Sequence, residues 1–163
     1  MKPLLLTLAT LLAISEPSPA SAASCDEVKD LTALVYHEDR ENALSRTVVD
    51  VVLNRVQSPH FPNTVCGVIH QPAQFSFWTD IEQPYRMPDT YSRKRAERVA
   101  TLMLHDFHSG QWQPLPQLKG VVYYVHEAKL IDRHGKLPDW VEPSCAVNVR
   151  GNNHTFYKCH KNA

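Results

Sequence analysis

Glu38 closes a stretch in which apolar residues recur at helical spacing, three positions after Val35 and seven after Leu31, with Val28 earlier in the series. On a helix this spacing puts its carboxyl on the apolar side, near the C-terminal end. Burial disfavours the ionised carboxylate, and the negative pole of the helix pushes the same way. A carboxylic acid that keeps its proton near neutral pH is the group that cleavage of a glycosidic bond requires. The plain alternative is a helix-end glutamate paired at the surface with Arg40 or Arg46.

The element that carries Glu38 is expected to start at Ser24, whose spacing to Glu27 fits a capping box. A second helix is expected from about Ser45 to Val56. Val48, Val49, Val51, Val52, Leu53 and Val56 cover most of its circumference, and Asp50 and Asn54 share one narrow polar strip. Such a helix belongs at the centre of a domain, and its polar strip must face a cavity, a partner or a hydrogen-bond network. Asn54 is expected to brace the cleft.

Residues 58 to 92 are rich in proline and aromatics and lack periodicity, which predicts a long ordered loop region of the kind that carries function. A third helix is predicted from Ser92, as N-cap, to about Phe107, with Ala96, Val99, Ala100, Met103 and Phe107 inward and Gly110 as the stop. Arg93, Lys94 and Arg95 read as a solvated face. From Val121 to His126 the chain is β-rich. After a loop holding Gly135, Pro138 and Trp140, two more short strands flank a Gly-Asn-Asn turn at Gly151. Helices first and strands later predict an α+β domain, a small antiparallel sheet on a helical bundle.

Residues 1–23 have a basic start, an apolar run from Leu4 to Ile14 and small residues at Ala20 to Ala23. This is the pattern of a secretory signal, which leaves residues 24–163 as a single domain. The apolar run is too short to span a bilayer, and no transmembrane segment is expected. Lys and Arg number 17, as do Asp and Glu, so the chain has no electrostatic footprint for nucleic acid. Cys25, Cys66, Cys145 and Cys159 predict two disulfides in an exported protein. The turn between Cys145 and Cys159 favours that pair and leaves Cys25 with Cys66. Lipidation of Cys25 is disfavoured by the residues before it, and no C-x-x-C pair points to zinc.

Several segments together resemble the cell wall hydrolase family of spore cortex-lytic enzymes (SleB type). They are Val35-Tyr36-His37-Glu38-Asp39-Arg40, Val51-Val52-Leu53-Asn54-Arg55-Val56, Phe61-Pro62-Asn63-Thr64-Val65-Cys66-Gly67, Gln71-Pro72-Ala73-Gln74-Phe75-Ser76, Tyr124-Val125-His126, Pro138-Asp139-Trp140 and Gly151-Asn152-Asn153-His154-Thr155-Phe156-Tyr157. They run in the family's order across about residues 28 to 160.

The resemblance implies a lysozyme-like or resuscitation-factor-like fold that cuts peptidoglycan glycan strands between N-acetylmuramic acid and N-acetylglucosamine. The implied reaction is that of a lytic transglycosylase, with Glu38 as its catalytic glutamate. The segment after Glu38 is about two residues shorter than the family's pattern, with Glu41-Asn42 where Gly-Glu is usual. Glu41 or Asp80 is therefore a candidate second carboxylate, and hydrolysis is a candidate reaction.

Gln74, Phe75, Ser76 and Trp78 are expected to line a sugar groove, and Tyr124, His126 and His154 to orient Glu38 or a sugar substituent. Trp140 is expected in the core or the groove wall. No cofactor or metal is expected. The expected protein is a secreted or periplasmic monomer acting on peptidoglycan, with a regulatory envelope protein as a further partner. Two other readings compete. One is a metal-dependent peptidoglycan amidase or peptidase drawing ligands from Glu38, His126, His154 and His160. The other is a wall-binding protein without catalysis.

Overall fold

The computed structural model describes residues 25–39 and 46–159. The expected signal segment, the cap at Ser24, and Arg40, Glu41 and His160 lie outside the described residues. The chain forms α1 (Glu27–Asp39), α2 (Thr47–Val56), α3 (Val65–Ile69), α4 (Phe77–Asp80), α5 (Thr90–His108), β1 (Tyr123–Val125), α6 (Glu127–His134), β2 (Ala146–Asn148) and β3 (Thr155–Tyr157).

At the start of α1, the Asp26 carboxylate accepts the backbone N–H of Lys29 at 3.0 Å, which satisfies an otherwise orphaned donor. Every residue from Asp30 to Tyr36 is buried, so α1 is enclosed on all sides and not only along one stripe. Asp30 tolerates that burial because Tyr85 Oη donates to one carboxylate oxygen at 2.6 Å, while His70 Nε2 lies 2.7 Å from the other. Those contacts fasten α1 to the long segment that follows α2. α5 lies against α1 through Ala96, Ala100, Met103 and Leu104, and the two alanines allow close approach.

The N-cap of α5 is Asp89, not the expected Ser92. Its carboxylate accepts the backbone N–H groups of Tyr91 at 3.0 Å and Ser92 at 3.2 Å, and the Ser92 hydroxyl at 2.7 Å. A charged acceptor complements the positive helix start better than a hydroxyl, so the helix begins three residues earlier than expected.

α2 is buried from Thr47 to Arg55. Its polar strip faces a network. Asp50 accepts from the Arg46 guanidinium at 3.3 Å, from the Trp112 indole N–H at 3.2 Å and from the Leu115 backbone N–H at 3.1 Å. Asn54 donates both amide hydrogens, to the carbonyls of Leu118 at 2.8 Å and Val121 at 2.9 Å. The strip thus pins the segment leading into β1, and Asn54 supports the sheet, not the cleft wall.

The antiparallel sheet has the order β1-β3-β2, with Tyr124 and Val147 both in register with the fully buried Phe156. Phe156 packs with Val51, Leu118, Val121 and Val149, which joins the sheet to α2. The β2–β3 turn passes through Gly151 at φ +80°, a left-handed conformation that suits glycine.

Two features depart from expectation. The long segment after α2 holds the short helices α3 and α4 within its loops. Residues Glu127–His134 fold as α6 and not as loop: the His126 side chain accepts the Lys129 backbone N–H at 3.3 Å, and Gly135 ends the helix at φ +72°. Cys25–Cys66 ties the chain before α1 to α3, and Cys145–Cys159 brackets the β2–β3 hairpin. The architecture is α+β: a helical bundle, a short sheet and two staples.

Candidate active site

Burial ends in the last turn of α1. Tyr36 is enclosed, whereas His37 and Glu38 are partly exposed and line a cleft of about 660 Å³. The cleft lies among the end of α1, the segment from Ala73 to Ile81, and the later part of the chain from β1 through α6 to His154. His37 is locked on both sides. Its Nε2 donates to the Pro84 carbonyl at 2.7 Å, and its ring stacks on Phe77 at 5.3 Å. The backbone that carries Glu38 is held accordingly.

Gln74 and Ser76 line the cleft from the long segment, Tyr124 and His126 from β1 and its end, and His154 from the residue before β3. These five and Glu38 line the same cleft. Phe75 and Trp78 are not brought to the groove. Phe75 is a core residue only 3% exposed, and Trp78 packs on Phe77, His70 and Tyr85 at 4.5, 4.6 and 5.5 Å. Both rings stiffen the segment from behind: Phe75, just before α4, is a buried core residue and Trp78 of α4 packs partly buried against that core, while Gln74 and Ser76 line the cleft.

Arg46, one surface partner weighed for Glu38, gives its guanidinium to Asp50 and to the Gln113 carbonyl at 2.9 Å. Asp80 lines the cleft and pairs with Arg133 of α6 at 3.7 Å. Trp140 also lines it, packed on Tyr123 at 5.4 Å and Tyr157 at 5.9 Å. His154 is buried, and its imidazolium is disfavoured first by that burial, then by His126 and Lys129, so its pKa falls to about 4.

Among the described residues, the acidic, histidine and cysteine donor atoms that converge are those of Cys25, Asp30 and Cys66. Both of those sulfurs are committed to a disulfide, so the trio does not fit a metal.

The Cell Wall Hydrolase family model matches residues 37–157, from the position before Glu38 to the end of β3. The chain belongs to the cell wall hydrolase family. This cell wall hydrolase is also similar to the catalytic domain of the germination-specific lytic transglycosylase SleB from Bacillus anthracis. The two are 29% identical with a TM-score of 0.57, over 85% of this chain and 99% of that one. That overlap carries the lysozyme-like arrangement expected from the sequence. No protein with a curated description matches the chain.

Sequence reasoning gave the hydrolase's Arg55 no role. It is 4% exposed and lines the cleft from the end of α2. Its Nε donates to the Val122 carbonyl at 2.7 Å, and its guanidinium carbon lies 5.0 Å from the Phe61 ring, 5.3 Å from Phe75 and 6.0 Å from Tyr123. Burial lowers its pKa from the ordinary arginine value, and aromatic faces supply the stabilisation that a carboxylate usually gives. An arginine beside Asn54 in a helix otherwise covered by valines was the available signal. Lys129 and Arg133 were missed because α6 was missed; they stand one turn apart and line the same cleft.

Proposed function

We propose that this cell wall hydrolase cuts the glycan strand of peptidoglycan between N-acetylmuramic acid and N-acetylglucosamine, as a lytic transglycosylase with Glu38 as acid and then base. The observation that carries this reading is Glu38 on the last turn of a buried helix, facing a cleft of about 660 Å³. That volume suits sugar rings, and hydrogen-bonding side chains surround it. The name of the similar SleB domain supports the reaction type.

In the first step the Glu38 carboxylic acid gives its proton to the leaving glycosidic oxygen as the C1–O bond breaks. The carboxylate so formed takes the proton of the muramic C6 hydroxyl while that oxygen bonds to C1. A 1,6-anhydro ring closes, no water is consumed, and Glu38 regains its proton. Gln74, Ser76, Tyr124, His126 and His154 hold the sugars, and Phe75 and Trp78 act only by supporting the loop. Hydrolysis is the second reading, favoured by one specific observation: Asp80 lines the same cleft and could activate a water.

The site of action is outside the cytoplasm. The signal-like residues 1–23 and the two disulfides support that location, and the family match covers most of the single domain that would remain.

The test is digestion of purified sacculi by wild type and Glu38→Gln, with products identified by mass. Anhydro-muropeptides from wild type and a loss of about 100-fold or more in Glu38→Gln are expected. Reducing ends in place of anhydro ends would move the assignment to hydrolysis. Free stem peptides whose release stops in chelator would mark a metal-dependent amidase. Wall binding without turnover in either protein would leave a binding module.

A further inference from the structure

We propose that His154 offers its bare Nε2 to the cleft as a fixed, uncharged hydrogen-bond acceptor for an N–H or O–H group of the bound amino sugar. The inference rests on the glycan reading above and assigns one polar subsite within it.

The tautomer follows from Asn152. A backbone N–H can only donate, and that of His154 points at Asn152 Oδ1 at 2.8 Å, so this atom is the amide oxygen and not the nitrogen. The amide nitrogen then donates to Thr47 Oγ1 at 2.8 Å, at the start of α2. The same Oδ1 stands 3.0 Å from His154 Nδ1. An amide oxygen carries no hydrogen, so Nδ1 must supply it.

A neutral ring with its proton on Nδ1 has its lone pair on Nε2. The ring is neutral over the ordinary pH range, because its burial and the neighbouring His126 and Lys129 hold its pKa near 4. Nε2 bonds to none of the described residues and is not among their sealed polar atoms, while the side chain lines the cleft. The ring cannot easily turn away. Tyr124 meets it edge-on at 4.9 Å, His126 at 5.7 Å and Phe156 at 6.3 Å.

A group so weakly basic is a poor proton acceptor near pH 7, so the role is recognition and not base catalysis. The surrounding wall carries the cations of Arg55, Lys129 and Arg133 and the carboxyls of Glu38 and Asp80. A neutral acceptor between them selects for a sugar substituent that gives a hydrogen. The donor is either the acetamido N–H or a ring hydroxyl. A site built to accept a hydrogen bond rejects ligands that lack the donor far more strongly than an apolar wall rejects a poor fit.

The direct test is nitrogen NMR of the histidine rings at pH 7 in the folded chain. Expected is a His154 ring with Nδ1 protonated and Nε2 bare. In Glu38→Gln, saturation with an N-acetylglucosamine tetramer is expected to shift the Nε2 signal toward that of a hydrogen-bonded acceptor. A matching shift with cellotetraose would assign the donor as a ring hydroxyl, and a shift confined to the N-acetylated sugar would assign it as the acetamido N–H. His154→Phe is expected to weaken tetramer binding about 10-fold, with part of the loss recovered by His154→Gln, whose amide oxygen can replace Nε2. A protonated Nε2, or an unmoved Nε2 signal at saturation, would overturn the inference even if Glu38→Gln had already confirmed the catalytic role. Turnover retained in Glu38→Gln would instead sink the transglycosylase reading and leave the tautomer intact.

Discussion

His37 reaches from the last turn of α1 to the Pro84 carbonyl 47 residues away, with its Nε2 at 2.7 Å from that oxygen. A carbonyl only accepts, so the ring gives the proton, and the residue before Glu38 is tied to the chain three residues beyond the cleft-lining segment that ends at Ile81. His37→Phe keeps the ring against Phe77 and deletes this one bond. The expected cost is about 1 kcal/mol of stability and about 10-fold in sacculus cleavage. Denaturant melts and cleavage rates measure the two separately. Lost stability with unchanged cleavage would show that the tie does not position Glu38.

Asp50 joins α2 to the chain around Trp112. Asp50→Ala leaves two N–H groups and the Arg46 guanidinium without their acceptor, for an expected loss of about 3–5 kcal/mol. Burial pushes the Asp50 carboxyl above its usual range, outweighing the opposing pull of Arg46, Leu115 and Trp112. The folded state therefore holds this proton more tightly than the unfolded state. The resulting stability is full below the unfolded pKa of 3.8 and is lost as pH rises through the folded value. Asp50→Asn should remove that slope from a plot of unfolding midpoint against pH.

His154 tilts the same plot the other way. Its folded pKa of about 4 lies below the ordinary 6.5, so between those values the unfolded chain binds the extra proton. Stability from this residue is present above pH 6.5 and declines as pH falls toward 4, by at most about 3 kcal/mol. His126 and Lys129 face it and add to the penalty for charging. His154→Gln should flatten the curve across this window, and an unchanged curve would mean that the imidazolium finds solvent.

The two disulfides should differ in worth. Cys25–Cys66 spans 41 residues and Cys145–Cys159 spans 14, so loop entropy assigns them about 4 and about 3 kcal/mol respectively. Paired Cys→Ser variants followed by thermal unfolding test the order. Loss of the first should also lower cleavage, because it frees the start of the helix that ends at Glu38.

Much of this fold was legible in the sequence because its cues are local. The apolar spacing of Val28, Leu31 and Val35 gave α1, the valines gave the buried α2, and the Asn-rich turn placed the β2–β3 hairpin beside its cysteines. The clustering of Glu38, Gln74, Ser76, Tyr124, His126 and His154 was reached through resemblance, since periodicity carries no information about residues over one hundred positions apart. α6 was missed although Glu127-Ala-Lys-Leu-Ile-Asp-Arg-His134 contains good helix formers and ends before Gly135. The β-rich run just before it dominated the reading. Phe75 and Trp78 were misplaced for a different reason. Aromatics in a loop suit a sugar platform or a core equally, and only the tertiary packing of the segment decides which.

Asp80 and Arg133 meet at 3.7 Å, one on α4 and the other on α6, and both are at least half exposed. An ion pair so open to solvent contributes under about 1 kcal/mol and weakens as salt rises. The two banks of the cleft are therefore fastened there only by a loose clasp. An incoming polymer can part it without unfolding a helix, and brine should ease entry where dilute buffer slows it.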